Sequence, residues 1–348
     1  MKIEAVALSL PEREISNDDI LDYIREKSKN SYRGDLEKAL REVKFFLGLC
    51  GAQNRRWAAP GENTFKKHTE KAILEVLEKS NTHPEEIDLL IYSSVDRKVA
   101  EPNESYLLAK ALGLKKTECF DILEACNSWS RATQISQNLL KSPDYRKVLI
   151  VTAEYMIHEG MWGQNAFQVK SPEEFEWKFP SYTLGEGSTA TLLSNEGEDW
   201  NYKFMGMPEH ADLCICPLEN FNEEETNMNG VSVAMNGKGV FTSFGRKMEI
   251  PGKKALIDIL DSSAVPLKDI DIIFPHSHAK KVWSDISKEE NLNLPLYFIF
   301  PETGNLVTGS IPGAMSMAIE ENALKRKDLV AGWMAAAGMS FSMYTFNY

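Results

Sequence analysis

The sequence predicts an α/β fold built from two copies of one unit, residues 1–200 and 201–348. Three observations carry this reading. Two segments match without a gap, "KAILEVLEKSNTHPEEIDLLI" (71–91) and "KALIDILDSSAVPLKDIDIIF" (254–274). The likeness continues downstream of each, and each copy ends in a run that is apolar at every position. Such a run is buried on both faces, as parallel sheets are, and self-similarity at about half the chain length is the mark of a duplicated unit.

Within the first copy, Ile73, Leu74 and Leu77 recur at helical spacing, as Leu256, Ile257 and Leu260 do in the second. Each set predicts an amphipathic helix leading into a buried strand. "CFDILEACNSWSRATQISQNLL" followed by "KVLIVTAEY" then reads strand, sharp loop, helix, strand. "YFIFPETGNLVTGSIPGAMSMAI" followed by "DLVAGWMAAAG" reads the same way. The charge-rich stretch 22–44 reads as a solvated helical face. Residues 158–178 read as a loop excursion inserted in the first half, anchored by aromatic side chains. Gly185-x-Gly187-x-x-Ala190 superficially fits a dinucleotide fingerprint, but β-branched "TATLLS" follows where the fingerprint needs a helix. A glycine turn between two strands is expected there.

Composition narrows the function classes. The 348 residues are 43% hydrophobic and 26% charged, with a formal net charge of −12, which argues against broad binding to nucleic acid or anionic membranes. No apolar run is long enough to span a bilayer, and the first residues lack the basic flank and apolar core of a signal peptide. Five cysteines, an odd number without framework spacing, suit reduced thiols. A cytoplasmic protein is expected.

Three positions bear chemistry. Cys126 follows the strand-like "FDIL" and precedes a helix whose face is marked by Ala132, Ile135 and Leu139. A thiol at a helix N-terminus is expected to have a lowered pKa, although a free cysteine is equally a small core residue. His276, with His278 two residues on, lies at the C-terminal end of the second copy's buried strand, where catalytic groups gather in α/β folds; a capping role is the alternative. Asn305 occupies nearly the place in the second repeat that Cys126 occupies in the first, and beside Gly304 it also fits a simple turn. Cys214-x-Cys216 and His276-x-His278 lack the spacing of zinc sites, so no metal is expected.

These residues resemble a known family, the 3-oxoacyl-(acyl-carrier-protein) synthase III enzymes of the thiolase superfamily. "GAQNRRWAAPGEN" is similar to that family's Gly-Ile-x-x-Arg segment, and "FDILEACNSW" to its nucleophile elbow. "FPSYTLGEGSTATLLS" resembles its Phe-Gly-Asp-Gly-Ala strand pair. "FPHSHAKK" resembles its Pro-His-Gln-Ala-Asn motif, and "ETGNLVTGSIP" its His-Gly-Asn-Thr-x-x-x-Ser-x-Pro. The resemblance implies a thiolase-like five-layered αβαβα fold, a homodimer, and a Cys126, His276, Asn305 triad. It implies that Cys126 takes an acyl group from a thioester, with the backbone amides of Cys126 and Ala337 as oxyanion hole. It implies that His276 and Asn305, as neutral donors, hold the carbonyl of a second thioester while its enolate attacks. No resident cofactor is implied: acyl-coenzyme A or acyl carrier protein thioesters are the substrates.

Several positions depart from the family's pattern. Its Gly-Gly-Gly run reads Ala336-Ala337-Gly338. The positions that meet coenzyme A read Phe45 and Leu49, and the asparagine of Pro-His-Gln-Ala-Asn is matched by Ala279. Lys280 and Lys281 match the basic carrier-docking position. Trp129 stands where smaller residues follow the family's cysteine. Glu101, in "VAEPNESYLLAKALGL", stands where a phenylalanine of the family reaches into the partner subunit's acyl pocket. A branch of olefin-forming and pyrone-forming ketosynthases carries a glutamate there, which implies a base for a condensation without decarboxylation. An acyltransferase acting on an alcohol or amine, and a catalytically silent partner subunit, are the rival readings. Acyl chain length is not legible.

Overall fold

The structure, a computed structural model, describes residues 1–217, 240–243 and 245–348; part of the second half therefore lies outside the described residues. Its strands are β1 (Lys2–Ser9), β2 (Arg13–Ser16), β3 (Asn54–Trp57), β4 (Leu89–Tyr92), β5 (Glu118–Asp121), β6 (Lys147–Glu154), β7 (Gly187–Ser194), β8 (Asn201–Gly206), β9 (Cys214–Ile215), β10 (Thr242–Ser243), β11 (Ile272–Pro275), β12 (Leu329–Ala336) and β13 (Ser340–Asn347). The helices are α1 (Asn17–Ser28), α2 (Leu36–Cys50), α3 (Glu70–Lys79), α4 (Glu104–Ala111), α5 (Ser128–Leu139), α6 (Glu174–Lys178), α7 (Gly245–Asp261), α8 (Lys280–Glu289), α9 (Phe300–Thr303) and α10 (Ser310–Glu320).

Two sheets carry the predicted repeat. The first runs β1-β7-β6-β4-β5 and the second β11-β12-β13-β8. In the first, β4 is parallel to β6, β6 antiparallel to β7, and β7 antiparallel to β1. The second repeats this pattern: β11 is parallel to β12, β12 antiparallel to β13, and β13 antiparallel to β8. The registers Leu90↔Leu149 and Ile273↔Ala331 show why both runs are apolar throughout, since each strand is covered on both faces.

Burial defines the layers. Trp129 and Ala132 of α5, with Ile311, Ala314, Met315 and Ala318 of α10, pack in one core with Ile3, Leu89, Val148 and Leu193 of the first sheet and Ile272, Phe274, Val330 and Tyr344 of the second. These two helices are therefore the central layer. Ala72, Ile73, Val76 and Leu77 of α3 and Leu108 of α4 cover the outer face of the first sheet. Leu256 and Leu260 of α7 with Trp283 and Ile286 of α8 cover the outer face of the second. The order is αβαβα. Because α5 lies between two sheets, even Ser130, Thr133 and Ser136 are buried on it, and Ile135 and Leu139 only half so.

Three local expectations need correction. Leu74 is exposed, and the buried face of α3 runs through Ala72 and Val76 instead. The strand expected at "YFIF" is reduced to one bridge, Leu296 with Ile273, after which the chain turns into α9. Pro295 and Pro301 lack the amide hydrogens that a longer ladder needs, and Pro301 sits in the first turn of α9, where a missing N–H costs nothing. The glycine turn at Gly185 joins a 3₁₀ turn (Phe179–Thr183) to β7 rather than two strands. No helix follows it, which removes the dinucleotide reading.

Candidate active site

The elbow before Cys126 is a strained turn. Ala125 holds φ 46°, Glu124 and Cys126 form an isolated bridge, and α5 begins two residues later. The Ser128 hydroxyl accepts from the Glu124 amide (2.8 Å) and donates to the Ala125 carbonyl (2.7 Å), which clamps the turn from inside the helix. Arg131 of the same helix holds the Glu124 carboxylate at 2.6 Å. Cys126 is half-buried, and its sulfur faces the backbone amides of Cys126 and Ala337. Ala336 and Ala337 do not carry the positive φ of the β12–β13 turn; Gly338 does, at 131°. Alanine thus fits where the resembling family has glycine.

The thiol expectation is overturned in direction. Burial pushes the Cys126 thiol up, and the two amides oppose this without cancelling it. Water is removed from the sulfur more completely than the helix end compensates. Cys214, on β9, lies close enough to push the Cys126 thiol further up.

Asn305 stands on the matching elbow of the second repeat. Gly304 before it holds φ 71°. The Asn305 amide donates to the Thr183 carbonyl (2.8 Å), and its carbonyl accepts from Gly185 (3.0 Å). A Cβ on Gly185 would lie 1.9 Å from the Thr303 carbonyl, so that glycine permits the close passage of the elbow. The Asn305 side-chain Oδ1 accepts from the Val307 amide at 2.8 Å. This settles which way the amide points, and Nδ2 is left to donate.

His276 is buried directly after β11, its amide donating to the Trp333 carbonyl at 2.9 Å. Burial, with the nearby His278 ring, holds its pKa well below the usual range, so the ring is neutral. Its Nδ1 lies 3.2 Å from the Ser310 hydroxyl of α10. His278 packs with ring centroids 5.2 Å from His276 and 5.3 Å from Trp283, and burial lowers its pKa to about 4. The 3₁₀ turn Val307–Gly309 after Asn305 touches α5, so both elbows and the end of β11 converge.

One residue at this convergence escaped the sequence reading. Glu154 ends β6 and is fully buried. Its Oε1 accepts from Thr308 Oγ1 (2.6 Å) and the Val95 amide (3.0 Å), and its Oε2 from the Asp96 amide (3.1 Å). Burial pushes its carboxyl up to about 7 against those three donors. The signal was present: a carboxylate closing the apolar run "KVLIVTAE".

The remaining positions divide. Trp129 is core, donating to Thr191 Oγ1 at 3.1 Å. Glu101 is exposed in the loop before α4. Lys280 and Lys281 are exposed at the start of α8, after Ala279, and Lys281 pairs with Asp285. A Cβ on Gly51, at the end of α2, would meet Lys280 Cβ at 3.0 Å, so the exposed Phe45 and Leu49 of α2 border the same surface. Among the described residues there is no cluster suited to a metal, and no helix long and apolar enough to cross a membrane.

Comparison with known proteins finds relatives across most of the chain. Residues 260–348 match the family described as the C-terminal region of 3-oxoacyl-(acyl-carrier-protein) synthase III. A beta-ketoacyl-(acyl-carrier-protein) synthase III from Clostridium tetani is 26% identical over 308 residues, 84% of this chain and 86% of the relative. A 3-oxoacyl-(acyl carrier protein) synthase III structure from Xanthomonas oryzae superposes with a TM-score of 0.81 at 18% identity, covering 99% of this chain and 98% of that one. An OleA variant from Xanthomonas campestris, solved with lauric acid and lauroyl-CoA, superposes with a TM-score of 0.80 at 18% identity over 99% and 98%.

Proposed function

We propose that this chain is a 3-oxoacyl-(acyl-carrier-protein) synthase III-like condensing enzyme, an acyltransferase on the thiolase fold, and that it joins two acyl thioesters through an acyl-Cys126 intermediate. The observation that carries the mechanism is the Cys126 sulfur facing the amides of Cys126 and Ala337, with Asn305 on the mirrored elbow. Cys126 attacks the first thioester. The developing oxyanion falls between the two amides, a contribution of about 3 kcal/mol per well-placed donor in comparable sites. The leaving thiol departs and the acyl group stays on sulfur. Asn305 Nδ2 and the neutral His276 then hold the carbonyl of the second thioester. Its α-carbon attacks the acyl carbonyl, and Cys126 leaves as the new carbon–carbon bond forms.

The nucleophilic carbon arises by loss of carbon dioxide from a malonyl thioester. A second reading makes Glu101 the base, removing an α-proton from an unactivated acyl thioester. What favours it is position: Glu101 is exposed on the loop leading into α4, which packs on β5, and among the described residues no strand lies beyond β5 in the first sheet. Leu123, Tyr106 and Leu107 are exposed apolar residues near that edge. A second copy seated there completes a homodimer and brings Glu101 to its partner. Acyl carrier protein docks at Lys280 and Lys281, and coenzyme A thioesters enter along Phe45 and Leu49.

The test is sequential. The protein is mixed with acyl-coenzyme A or acyl carrier protein thioesters, and the mass increase is mapped to Cys126; Cys126→Ala gives none. Malonyl thioester is then added, and carbon dioxide and the 3-oxo product are measured. An adduct that passes only to alcohols or amines would point to acyl transfer without condensation. No adduct with any thioester would leave a silent subunit.

A further inference from the structure

Ser310 stands between two partners with one hydrogen to give. Its Oγ lies 2.8 Å from the Val307 carbonyl oxygen and 3.2 Å from His276 Nδ1. The carbonyl can only accept, and it is the shorter contact, so the hydroxyl hydrogen goes there. Toward His276 the oxygen then offers only lone pairs, and Nδ1 must carry the hydrogen. The ring is neutral, so this is its single N–H proton, and Nε2 holds a lone pair. Asn305 is the contrast, since the Val307 amide locks it as a donor.

We propose that Ser310 is a positioning residue whose hydroxyl holds His276 as the Nδ1–H tautomer in the free enzyme, so that Nε2 enters the first half-reaction as a proton acceptor. This rests on the condensing reading above. The Cys126 thiol is buried and stays protonated near neutral pH, so its proton must leave as sulfur attacks. The S–H bond breaks, its electron pair stays on sulfur, and an N–H bond forms at Nε2. The thiolate attacks the thioester carbonyl, the bond to the leaving sulfur breaks, and that sulfur takes the proton from Nε2. In the second half-reaction Nε2 must donate. That requires the Ser310 hydrogen to turn from Val307 to Nδ1, and one proton to pass between the ring nitrogens through solvent without change of charge. The turn exchanges one hydrogen bond for another, so it costs little.

Two-bond ¹H–¹⁵N correlation on the full chain with ¹⁵N-labelled histidine tests this directly. The protein has six histidines, and the His276 signals are those lost in His276→Asn. The expected result is a protonated Nδ1 and an unprotonated Nε2 in the free wild type, a shift toward Nε2–H in Ser310→Ala, and retention of the wild-type pattern in Ser310→Thr. In rapid-mixing assays Ser310→Ala acylates Cys126 at least tenfold more slowly, Ser310→Thr recovers most of that rate, and condensation from pre-acylated enzyme changes less. An Nε2–H ring in the free wild type overturns the proposal, as does an unchanged tautomer in Ser310→Ala. The spectrum reads the tautomer whether or not any thioester reacts, so a failed substrate screen strikes the functional reading and not this one.

Discussion

Ala125 and Gly304 both hold a positive φ one residue before Cys126 and Asn305, at 46° and 71°. The duplicated unit thus sets Cys126 and Asn305 each directly after a residue of positive φ. The two copies differ in how much room surrounds the turn. At Gly304 a Cβ would lie 2.7 Å from the Thr183 carbonyl, 2.8 Å from Arg55 Cγ and 3.0 Å from the Gly185 amide.

Gly304→Ala should therefore destabilise the protein by about 2 kcal/mol or more, strain and overpacking together. It should also abolish condensation by shifting Asn305. Ala125→Gly relieves a left-handed alanine and should change stability by less than about 1 kcal/mol. Denaturant midpoints of the two variants check this; equal effects would refute the asymmetry.

Asn305→Asp places an acceptor where Nδ2 donates, while its other oxygen still accepts from Val307. Acylation of Cys126 should persist, and condensation should fall by roughly 10²-fold or more, the scale of losing one preorganised donor. Single-turnover measurements of each half-reaction separate the two. Loss of acylation alone would contradict the role assigned here.

Stability should show two opposed pH trends. His276 and His278 are neutral when folded, with His278 at about 4 against 6.5 for a free ring. As pH falls from 6.5 toward 4 the unfolded chain takes up protons that the folded chain refuses, so stability is lost on acidification. Glu154 works the other way. Its carboxyl is raised from 4.5 to about 7, so the folded chain keeps a proton the unfolded chain releases, and stability falls as pH rises from 4.5 to 7. Equilibrium unfolding across pH 4–8 should show that His278→Phe flattens the acid slope. Glu154→Gln should remove the opposing slope, on the order of 3 kcal/mol across its window.

Glu101→Gln distinguishes the two sources of the carbon nucleophile. Turnover of two acyl thioesters without malonyl should fall at least a hundredfold if Glu101 is the base, while malonyl-dependent turnover changes by less than threefold. Equal turnover in both assays would leave Glu101 as an exposed surface residue.

The duplicated α/β unit was legible in the sequence because apolar spacing reports burial directly. Six consecutive apolar or small residues in "VLIVTA" read as a strand covered on both faces, and β6 is one. The elbow at Cys126 was legible for a similar reason, since a strand-like run stopping at a helix-like one forces a sharp turn between them. The shortening of "YFIF" to one bridge was also written in the chain, in Pro295 and Pro301, but hydrophobicity outweighed the missing amide hydrogens in the reading. Leu74 misled because helical spacing marks a stripe and not its exact edge.

The sequence by itself determined where Cys126, His276 and Asn305 stand in their own repeats, because that placement is local. Only the tertiary structure decided their chemical state. The lowered thiol expected for Cys126 depended on a helix end alone, whereas the folded chain also strips water from the sulfur, and desolvation by distant segments has no local signature. The same holds for His276, Asn305 and Glu154. Which ring nitrogen carries hydrogen, which amide atom donates and how tightly a carboxyl keeps its proton are set by Ser310, Val307, Thr308 and the Val95–Asp96 amides. Some of these partners come from other elements of the fold, and packing alone brings them within a hydrogen bond's reach.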